Sequence, residues 1–321
     1  MIMIDNNDKA GVVVSIIVVS YNTREMTLEC LRSILNETKS YPFEVIVLDN
    51  MSSDGSFAAI KSEFGDDHRF TLIESHENLG FAGGNNLAAQ EASGDFLLLL
   101  NPDTVVLDRA LDALVDFAYE RPKSRICGGR TLFADGSLNP YSCWGPYTLW
   151  SIFTANTGLR KLFPKSTLCN PRAMVSWPRD SVRTVAIVTG CLFLIDKPLW
   201  DELKGFDPEF FMYGEEADLC MRAHVHGARP IITPKATIIH YAGASEHVRV
   251  DKLARLLDAE VRFFRRNMSP FSFKLALLMT KGGVALRAIV MWCLARLRIR
   301  KSTSVWETLW NKRSEWSSGS V

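Results

Sequence analysis

Polar side chains that could bind a ligand follow three apolar runs in the first third of the chain. They are Tyr21–Asn22, Asp49–Asn50 and Asn101–Pro102–Asp103. The runs have the length and composition of buried strands, and ligands of parallel α/β sheets lie at the carboxyl ends of strands. Proline cannot continue a β ladder, so Pro102 should end its strand and leave Asp103 just beyond the sheet. We expect all three groups to line one crevice.

A second group of ionisable residues follows the aromatic run "FFMY". The sequence "GEEAD" places Glu215, Glu216 and Asp218 within four residues, and Arg222 lies four residues after Asp218. That spacing allows an ion pair on one helix face. One interpretation is a solvated helix start, where acids interact favourably with the helix dipole. The other is an acidic site walled by the preceding aromatic residues.

The surrounding pattern predicts the elements that position these residues. Apolar runs at 12–20, 43–50, 70–74 and 95–100 alternate with a helical pattern at 24–37 and a Gly/Asn loop entering a helix at 78–86. Such alternation predicts an α/β fold whose mostly parallel central sheet is covered by helices on both faces.

The second half of the chain is less regular. Residues 134–182 predict a long irregular excursion, which inside a compact domain is usually functional. The later segments predict an interrupted strand at 184–195, a loop and helix at 205–227, an extended segment at 228–243, and helices at 251–267 and 272–300. A strand-end position for His240 is compatible with a backbone-bonded side chain as well as with a ligand.

Charge is distributed unevenly along the 321 residues. Residues 1–251 carry a net charge of −9 and residues 252–321 a net charge of +10. A basic C-terminal extension indicates an anionic partner, either a membrane or a nucleic acid. The seven cysteines form no Cys-x-x-Cys pair, which argues against a thiolate zinc site and favours a reducing compartment.

Seven motifs occur in an order that resembles the family 2 glycosyltransferases, and within them the bacterial rhamnosyltransferase-like members. The motifs are "SIIVVSYN", "VIVLDNMSSDGS", "NLGFAGGNN", "LLLLNPDT", "TGCLFLI", "GFDPEFFMYGEEADLCMRAHVHG" and "IIHYAGAS". The resemblance spans residues 12–250 and implies a GT-A fold, a nucleotide-sugar donor, a divalent cation and inversion at the anomeric carbon.

The resemblance also implies roles for single residues. Asp103 matches the last Asp of the family's Asp-x-Asp motif, and His240 matches a histidine that can complete the metal shell, which suits Mg²⁺ or Mn²⁺. The first Asp of the motif is replaced by Asn101. Without the resemblance, Asp103 or Thr104 could instead cap a helix near 107–120.

The acidic cluster gains a catalytic interpretation from the same resemblance. The family usually has Glu-Asp where this chain has Glu215–Glu216, so Glu216 occupies the position of the base that takes the acceptor proton. Tyr213, Asp218 and Arg222 are expected on the acceptor side. Residues expected to bind the donor, besides Asn101 and Asp103, are Ser20, Tyr21, Asn22, Asp49, Asn50, Ser52, Gly83, Gly84 and Asn85.

Together these features predict two parts of the chain. Residues 1–250 form the GT-A domain, with a donor-binding part at 12–130 and an acceptor side at 131–250, and residues 251–321 form a basic, amphipathic helical extension. The predicted donor is dTDP-rhamnose, with a UDP-hexose as the near alternative. The predicted acceptor is a lipid-diphosphate-linked saccharide over the 134–182 excursion and the C-terminal helices.

The extension has its own alternatives. Lys281 and Arg287 interrupt its apolar stretch, so we expect a helix on an anionic membrane surface and not a spanning one. A helical hairpin packed on the domain or a homodimer contact is the alternative, and nucleic acid is disfavoured. We expect the protein to be peripheral on the inner face of the bacterial plasma membrane. The alternative to an enzyme is a non-catalytic protein that binds a nucleotide sugar.

Overall fold

A computed structural model describes residues 11–241, 250–297 and 305–318. The strands are β1 Val14–Ser20, β2 Phe43–Asp49, β3 Phe70–Glu74, β4 Phe96–Leu100, β5 Thr104–Val106, β6 Ile126–Leu132, β7 Leu138–Asn139, β8 Cys143–Trp144, β9 Arg183–Thr184, β10 Ile187–Val188, β11 Leu192–Asp196 and β12 Ile231–His240. The helices are α1 Arg24–Glu37, α2 Ser56–Phe64, α3 Gly80–Ala88, α4 Ala110–Glu120, α5 Leu149–Thr157, α6 Leu159–Leu162, α7 Lys197–Leu203, α8 Glu215–Val225, α9 Val250–Asn267, α10 Pro270–Arg296, α11 Val305–Asn311 and α12 Arg313–Ser317.

The central sheet has the order β3-β2-β1-β4-β11-β6-β12-β5. The first four strands in this order are parallel, as their continuous apolar sequences predict, and every residue of β1 is buried. Strand β11 then runs antiparallel to both of its neighbours, β4 and β6. The sheet is therefore mixed, because the later strands of the chain insert beside β4 without the crossover that parallel pairing needs.

Apolar side chains cover both faces of this sheet. One cluster contains Leu31, Leu114 and the alternate side chains of β1 that point to their face of the sheet. The other contains Phe193, Phe206 and Leu219. A third, smaller cluster joins Val284 of α10 to Leu309 and Trp316 of the last two helices. The C-terminal helices thus have a core of their own beside the sheet domain.

Two expectations about local structure are wrong. The 134–182 excursion is not irregular throughout, because it contains β7, β8, α5 and α6. Asp103 and Thr104 do not cap a helix: Thr104 begins β5 and pairs with His240 of β12, and α4 begins only at Ala110. A strand between Asp103 and α4 keeps the aspartate at the sheet edge.

Candidate active site

The ends of β1 and β2 form one corner of the predicted crevice. The backbone N–H of Asn22 donates to Ser52 Oγ at 2.9 Å, and Asn22 Oδ1 accepts from Ser53 N at 2.8 Å. Asn22 has a φ of 53°, a left-handed conformation that asparagine tolerates better than most residues. Tyr21 beside it is 47% exposed, so Tyr21 and Asn22 present an open polar surface.

Asp49 is the buried polar group of this corner. It is 2% exposed, and its Oδ1 accepts a hydrogen bond from Ser52 N at 2.9 Å. Its Oδ2 is buried and has no hydrogen-bond partner. A buried carboxylate oxygen without a partner is costly, and a ligand N–H would satisfy it.

Four residues expected to bind the donor have internal roles instead. The Ser20 hydroxyl is buried against Thr23 and Thr27. Asn50 accepts from Leu79 N and donates to Asn78 and Gly80, so its amide ties β2 to α3. Asn85 is 1% exposed and donates to Phe81 O within its own helix. These three side chains therefore support the crevice through internal hydrogen bonds, and their donor contacts stay a prediction.

Gly84 is the fourth residue with an internal role. A Cβ added to Gly84 would lie 2.9 Å from Val19 Cγ1, so its missing side chain lets α3 pack closely on the sheet. Gly83, one position earlier, would meet only Leu79 at 3.2 Å. Of the two glycines, Gly83 alone remains a candidate for close approach of the donor.

A second corner brings together the residues after β4 and at the end of β12. His240 Nε2 lies 3.3 Å from Asp103 Oδ1 and 3.4 Å from Asn101 Nδ2. The backbone N–H of Tyr241 donates to Asp103 O at 3.0 Å and fixes the two strand ends together. Burial lowers the pKa of His240, but the neighbouring Cys191 and Asp103 raise it more, to about 10.

These residues fit a divalent cation that also binds a diphosphate. His240 Nδ1 is buried without a hydrogen-bond partner, and the Asp103 carboxylate faces the other ring nitrogen. Within the described residues, no three His, Cys, Asp or Glu side chains are arranged so that they alone could hold a metal ion. A protein that supplies only one or two ligands is usual where substrate phosphates complete the shell of Mg²⁺.

The loop before α8 is fixed to α3 by backbone and side-chain hydrogen bonds. Phe81 N donates to Phe211 O at 2.9 Å, and the Asn86 side chain bonds to both Phe206 N and Phe206 O. Gly80 is required here, because a Cβ at this residue would lie 2.1 Å from Phe211 O. These contacts hold the acidic start of α8 beside the half of the sheet that carries Asp49.

Glu215 and Glu216 begin α8 as an acidic pair, of which Glu215 is buried and Glu216 is half-buried. Gly214 precedes them in a left-handed conformation, with a φ of 89°, and Tyr213 has a φ of 73°. Oε2 of each glutamate is buried without a hydrogen-bond partner. This overturns the solvated-helix-start interpretation for these two residues.

The environment raises the pKa of both carboxyl groups. Burial, followed by the charge of Glu216, raises the pKa of Glu215 well above its usual range. Burial also raises the pKa of Glu216, but a hydrogen bond from Glu215 and the charge of Arg172 act in the opposite direction. Burial and the proximity of the two carboxyl groups therefore favour a pair that holds one proton and carries one negative charge.

Arg172 and Tyr147 face this pair from the 134–182 excursion, and the sequence motifs did not identify them. The Arg172 guanidinium lies 3.3 Å from the centre of the Tyr147 ring, and Arg172 Nε is buried without a partner. Tyr147 is held in turn by Glu260 of α9 at 3.3 Å. The one available signal was compositional, since residues 136–179 contain no acid to neutralise their five cations.

Asp218 and Arg222, predicted on the acceptor side, form an internal ion pair. Arg222 Nε donates to Asp218 at 2.7 Å, and its other nitrogens donate to Leu203 O and Gly205 O. Asp218 is 1% exposed and also lies 3.4 Å from Arg266 of α9. The pair has the predicted i,i+4 geometry, but its role is to fix α8 to α9 and to the preceding loop.

Comparison with known proteins gives a consistent result. The model of the family described as "Glycosyl transferase family 2" matches residues 15–177. The O-antigen biosynthesis protein RfbC of Myxococcus xanthus is 28% identical over 233 residues, which cover 72% of this chain but 17% of that protein. The N-acetylglucosaminyl-diphospho-decaprenol L-rhamnosyltransferase of Mycobacterium tuberculosis is 26% identical over 229 residues, covering 68% of this chain and 73% of that enzyme.

The fold also matches solved structures. The mannosyltransferase PcManGT from Pyrobaculum calidifontis, in complex with GDP-Man and Mn²⁺, superposes with a TM-score of 0.55 at 18% identity. The match covers 95% of this chain and 83% of the mannosyltransferase. The GT-A fold expected from the motifs is confirmed.

Proposed function

Because the chain belongs to glycosyl transferase family 2, we propose that it transfers L-rhamnose from dTDP-rhamnose to a lipid-diphosphate-linked saccharide, with inversion. The acidic pair Glu215–Glu216 carries the proposal, because the pKa of both carboxyl groups is raised and the pair begins α8 at the position where the motif places the base. The similarity to a rhamnosyltransferase that acts in a lipid-diphosphate pathway supports the sugar and the acceptor class.

In the proposed reaction, an acceptor hydroxyl oxygen forms a bond to the anomeric carbon while the bond from that carbon to the diphosphate oxygen breaks. The hydroxyl proton passes to Glu216, and the electron pair of the broken bond leaves with the nucleoside diphosphate. Glu215 retains its proton and donates a hydrogen bond to Glu216, which keeps a single negative charge on the pair. One group acting as base contributes about 10²–10⁴-fold to such rates.

The donor is assigned to the crevice between the two corners. Asp49 Oδ2 would accept the imide N–H of a pyrimidine, which thymine and uracil share, so a UDP-hexose remains the alternative donor. Asp103 and His240 would hold Mg²⁺ or Mn²⁺, and that cation would neutralise charge on the departing diphosphate. Asn101, within 3.4 Å of His240, would contact the donor rather than add charge to the cation site.

The C-terminal helices are proposed to place the enzyme on the anionic inner face of the bacterial plasma membrane, where cell-envelope polysaccharides are assembled. By length and composition α10 could also cross a membrane, since an 18-residue window of it has a mean hydropathy of 1.5. However, Arg287 donates to Ala155 O at 2.7 Å, and the buried stripe of α10 includes Ala276, Gly283 and Ala288. A helix fixed to α5 in this way is better suited to lie on the surface.

A nucleotide-sugar panel tests the proposed function. Binding of dTDP-rhamnose, dTDP, UDP-hexoses and GDP-mannose is measured by calorimetry, and nucleoside diphosphate release with a lipid-diphosphate saccharide is measured with and without a chelator. We expect dTDP-rhamnose to be preferred and turnover to stop with the chelator. Failure of dTDP to bind would remove rhamnose, and binding without turnover of any donor would favour a non-catalytic binder.

A further inference from the structure

The tip of the 134–182 excursion exposes apolar and cationic side chains together. We define the α6 tip as residues 159–168, which comprise α6 and the turn after it. Leu162 is 72% exposed, Phe163 54% and Leu168 66%. Three exposed or half-exposed cations lie among them, at Arg160, Lys161 and Lys165. Large apolar side chains this exposed, in a chain with an ample core, indicate an interaction surface.

The α6 tip has a defined conformation that keeps these side chains outward. Phe163 N donates to Leu159 O at 2.9 Å, which closes the helical turn. Trp150 of α5 donates from its indole N–H to Leu168 O at 2.8 Å and stacks on Phe153 at 5.4 Å between ring centres. Trp150 and Phe153 are themselves exposed, so they extend the apolar surface of the tip along α5.

A second exposed apolar surface lies on α10, the helix against which α5 packs. Six apolar side chains of α10 are exposed: Phe271, Leu278, Leu286, Ile289, Val290 and Trp292. At about 100° per residue they fall within an arc of roughly 160°. The buried residues Ala276, Thr280, Gly283, Val284 and Ala288 occupy the opposite arc, where α5 and α11 pack.

The start of the α6 tip lies close to α10. Arg287 of α10 donates to Ala155 O of α5, and burial followed by the charge of Arg160 lowers the pKa of Arg287, so the tip begins close to α10. The α6 tip holds three cations and α10 holds four, and neither segment contains an Asp or Glu. A surface that combines exposed apolar groups with cations and lacks acids complements an anionic bilayer.

We propose that the α6 tip is a second membrane-contacting element, which binds anionic lipid together with the exposed face of α10. Its leucines and phenylalanine enter the interfacial region, and its three cations contact lipid phosphates. The excursion also carries Arg172 and Tyr147 to Glu216, so one segment joins the bilayer to the catalytic pair. This inference rests on the proposed function only for the reason why the enzyme needs the membrane.

Vesicle co-sedimentation of the full chain tests the proposal. Vesicles of phosphatidylcholine with about a third phosphatidylglycerol are compared with pure phosphatidylcholine. We expect Leu162→Ser/Phe163→Ser to weaken binding to the anionic vesicles about tenfold or more. Lys161→Glu/Lys165→Glu should weaken it by at least about tenfold, with the loss confined to anionic vesicles.

Matched controls separate the tip from general surface effects. Val225→Ser changes an apolar residue that is 84% exposed on α8, and Lys61→Glu reverses an exposed cation on α2. Both should bind vesicles like the wild type. Ile289→Ser/Trp292→Ser reports the contribution of α10. Melting temperatures and dTDP binding should be unchanged in all the tip variants, because these side chains are exposed and lie outside the donor crevice.

The possible outcomes either support or contradict the proposal. If the tip variants bind vesicles like the wild type while the α10 variant does not, the tip is not a lipid contact and the proposal is wrong. It is equally wrong if the wild type binds no vesicles, or if it forms a dimer that the tip variants abolish. Vesicle binding that depends on the tip in a protein that binds no dTDP would support this inference and overturn the proposed function.

Discussion

Replacing each glutamate of the catalytic pair by glutamine should give opposite results, although the two residues are neighbours of identical chemistry. We expect Glu215 to bear the proton of the pair, because burial and the charge of Glu216 raise its pKa, and a neutral amide imitates a protonated carboxyl group in size and in its ability to donate a hydrogen bond. Glu215→Gln should therefore retain most activity. Glu216→Gln removes the only member of the pair that can accept a proton.

The two substitutions are expected to lower the reaction rate by very different factors. Loss of a general base lowers the rate about 10²–10⁴-fold, which corresponds to roughly 3–5 kcal/mol in the barrier. Exchange of one neutral hydrogen bond for another changes the free energy by about 0.5–1.5 kcal/mol, or up to roughly tenfold in rate. The ratio of the two variants' rates should thus be at least about tenfold in favour of Glu215→Gln.

The assay is release of the nucleoside diphosphate under single-turnover conditions, measured across pH. Wild type and Glu215→Gln should both lose activity as pH falls, because Glu216 must be ionised to act and burial raises its pKa. The residual rate of Glu216→Gln should lack this acid limb. Equal losses in the two variants, with donor binding retained in both, would refute the division of roles within the pair.

A stability measurement on Glu215→Gln and two further substitutions test the environment of the site. Glu215→Gln should raise the free energy of unfolding, and by more as pH rises above the usual glutamate range, because the folded wild type must hold a proton that the unfolded chain releases; urea titrations at several pH values measure it. Arg172→Met should move the acid limb of activity to higher pH, because the Arg172 charge lowers the pKa of Glu216; an unmoved limb would contradict that contact. Gly84→Ala should cost about 1–3 kcal/mol of stability, since its Cβ would lie 2.9 Å from a sheet side chain, and should leave donor affinity in the surviving folded protein unchanged.

The elements of the first half were predictable because their signals are local. Strands β1, β2 and β4 are continuous apolar runs that end in polar residues, and such runs have few other structures available in a parallel sheet. The position of Asp103 followed from Pro102 alone, since proline stops the ladder. The insertion of β11 between β4 and β6 was not predictable, because strand order depends on pairing between residues about a hundred positions apart.

The roles of individual polar residues were also predictable only in part. The motifs predict Asp49, Asp103, Glu216 and His240 at the candidate site. They predict Asn50 and Asn85 there as well, although the side-chain amides of these two residues donate hydrogen bonds to backbone carbonyls inside the protein. That distinction depends on which partner each side chain meets after folding. Arg172 was missed for the complementary reason, because it comes from an excursion that carries no motif and acts only through its contact with Tyr147 and Glu216.

The distribution of unsatisfied polar atoms gives an independent argument for the site. In the described part of the chain, the buried side-chain atoms that lack a hydrogen-bond partner include one each from Asp49, Arg172, Glu215, Glu216 and His240. Each such atom costs about 1–3 kcal/mol of folding free energy, and apolar residues of similar size would avoid that cost. These five residues come from four separate segments that the fold brings to the sheet edge or against it. A cost concentrated at one place is expected where the groups are satisfied by substrate rather than by the protein, and this is the physical reason to place donor, acceptor and cation there.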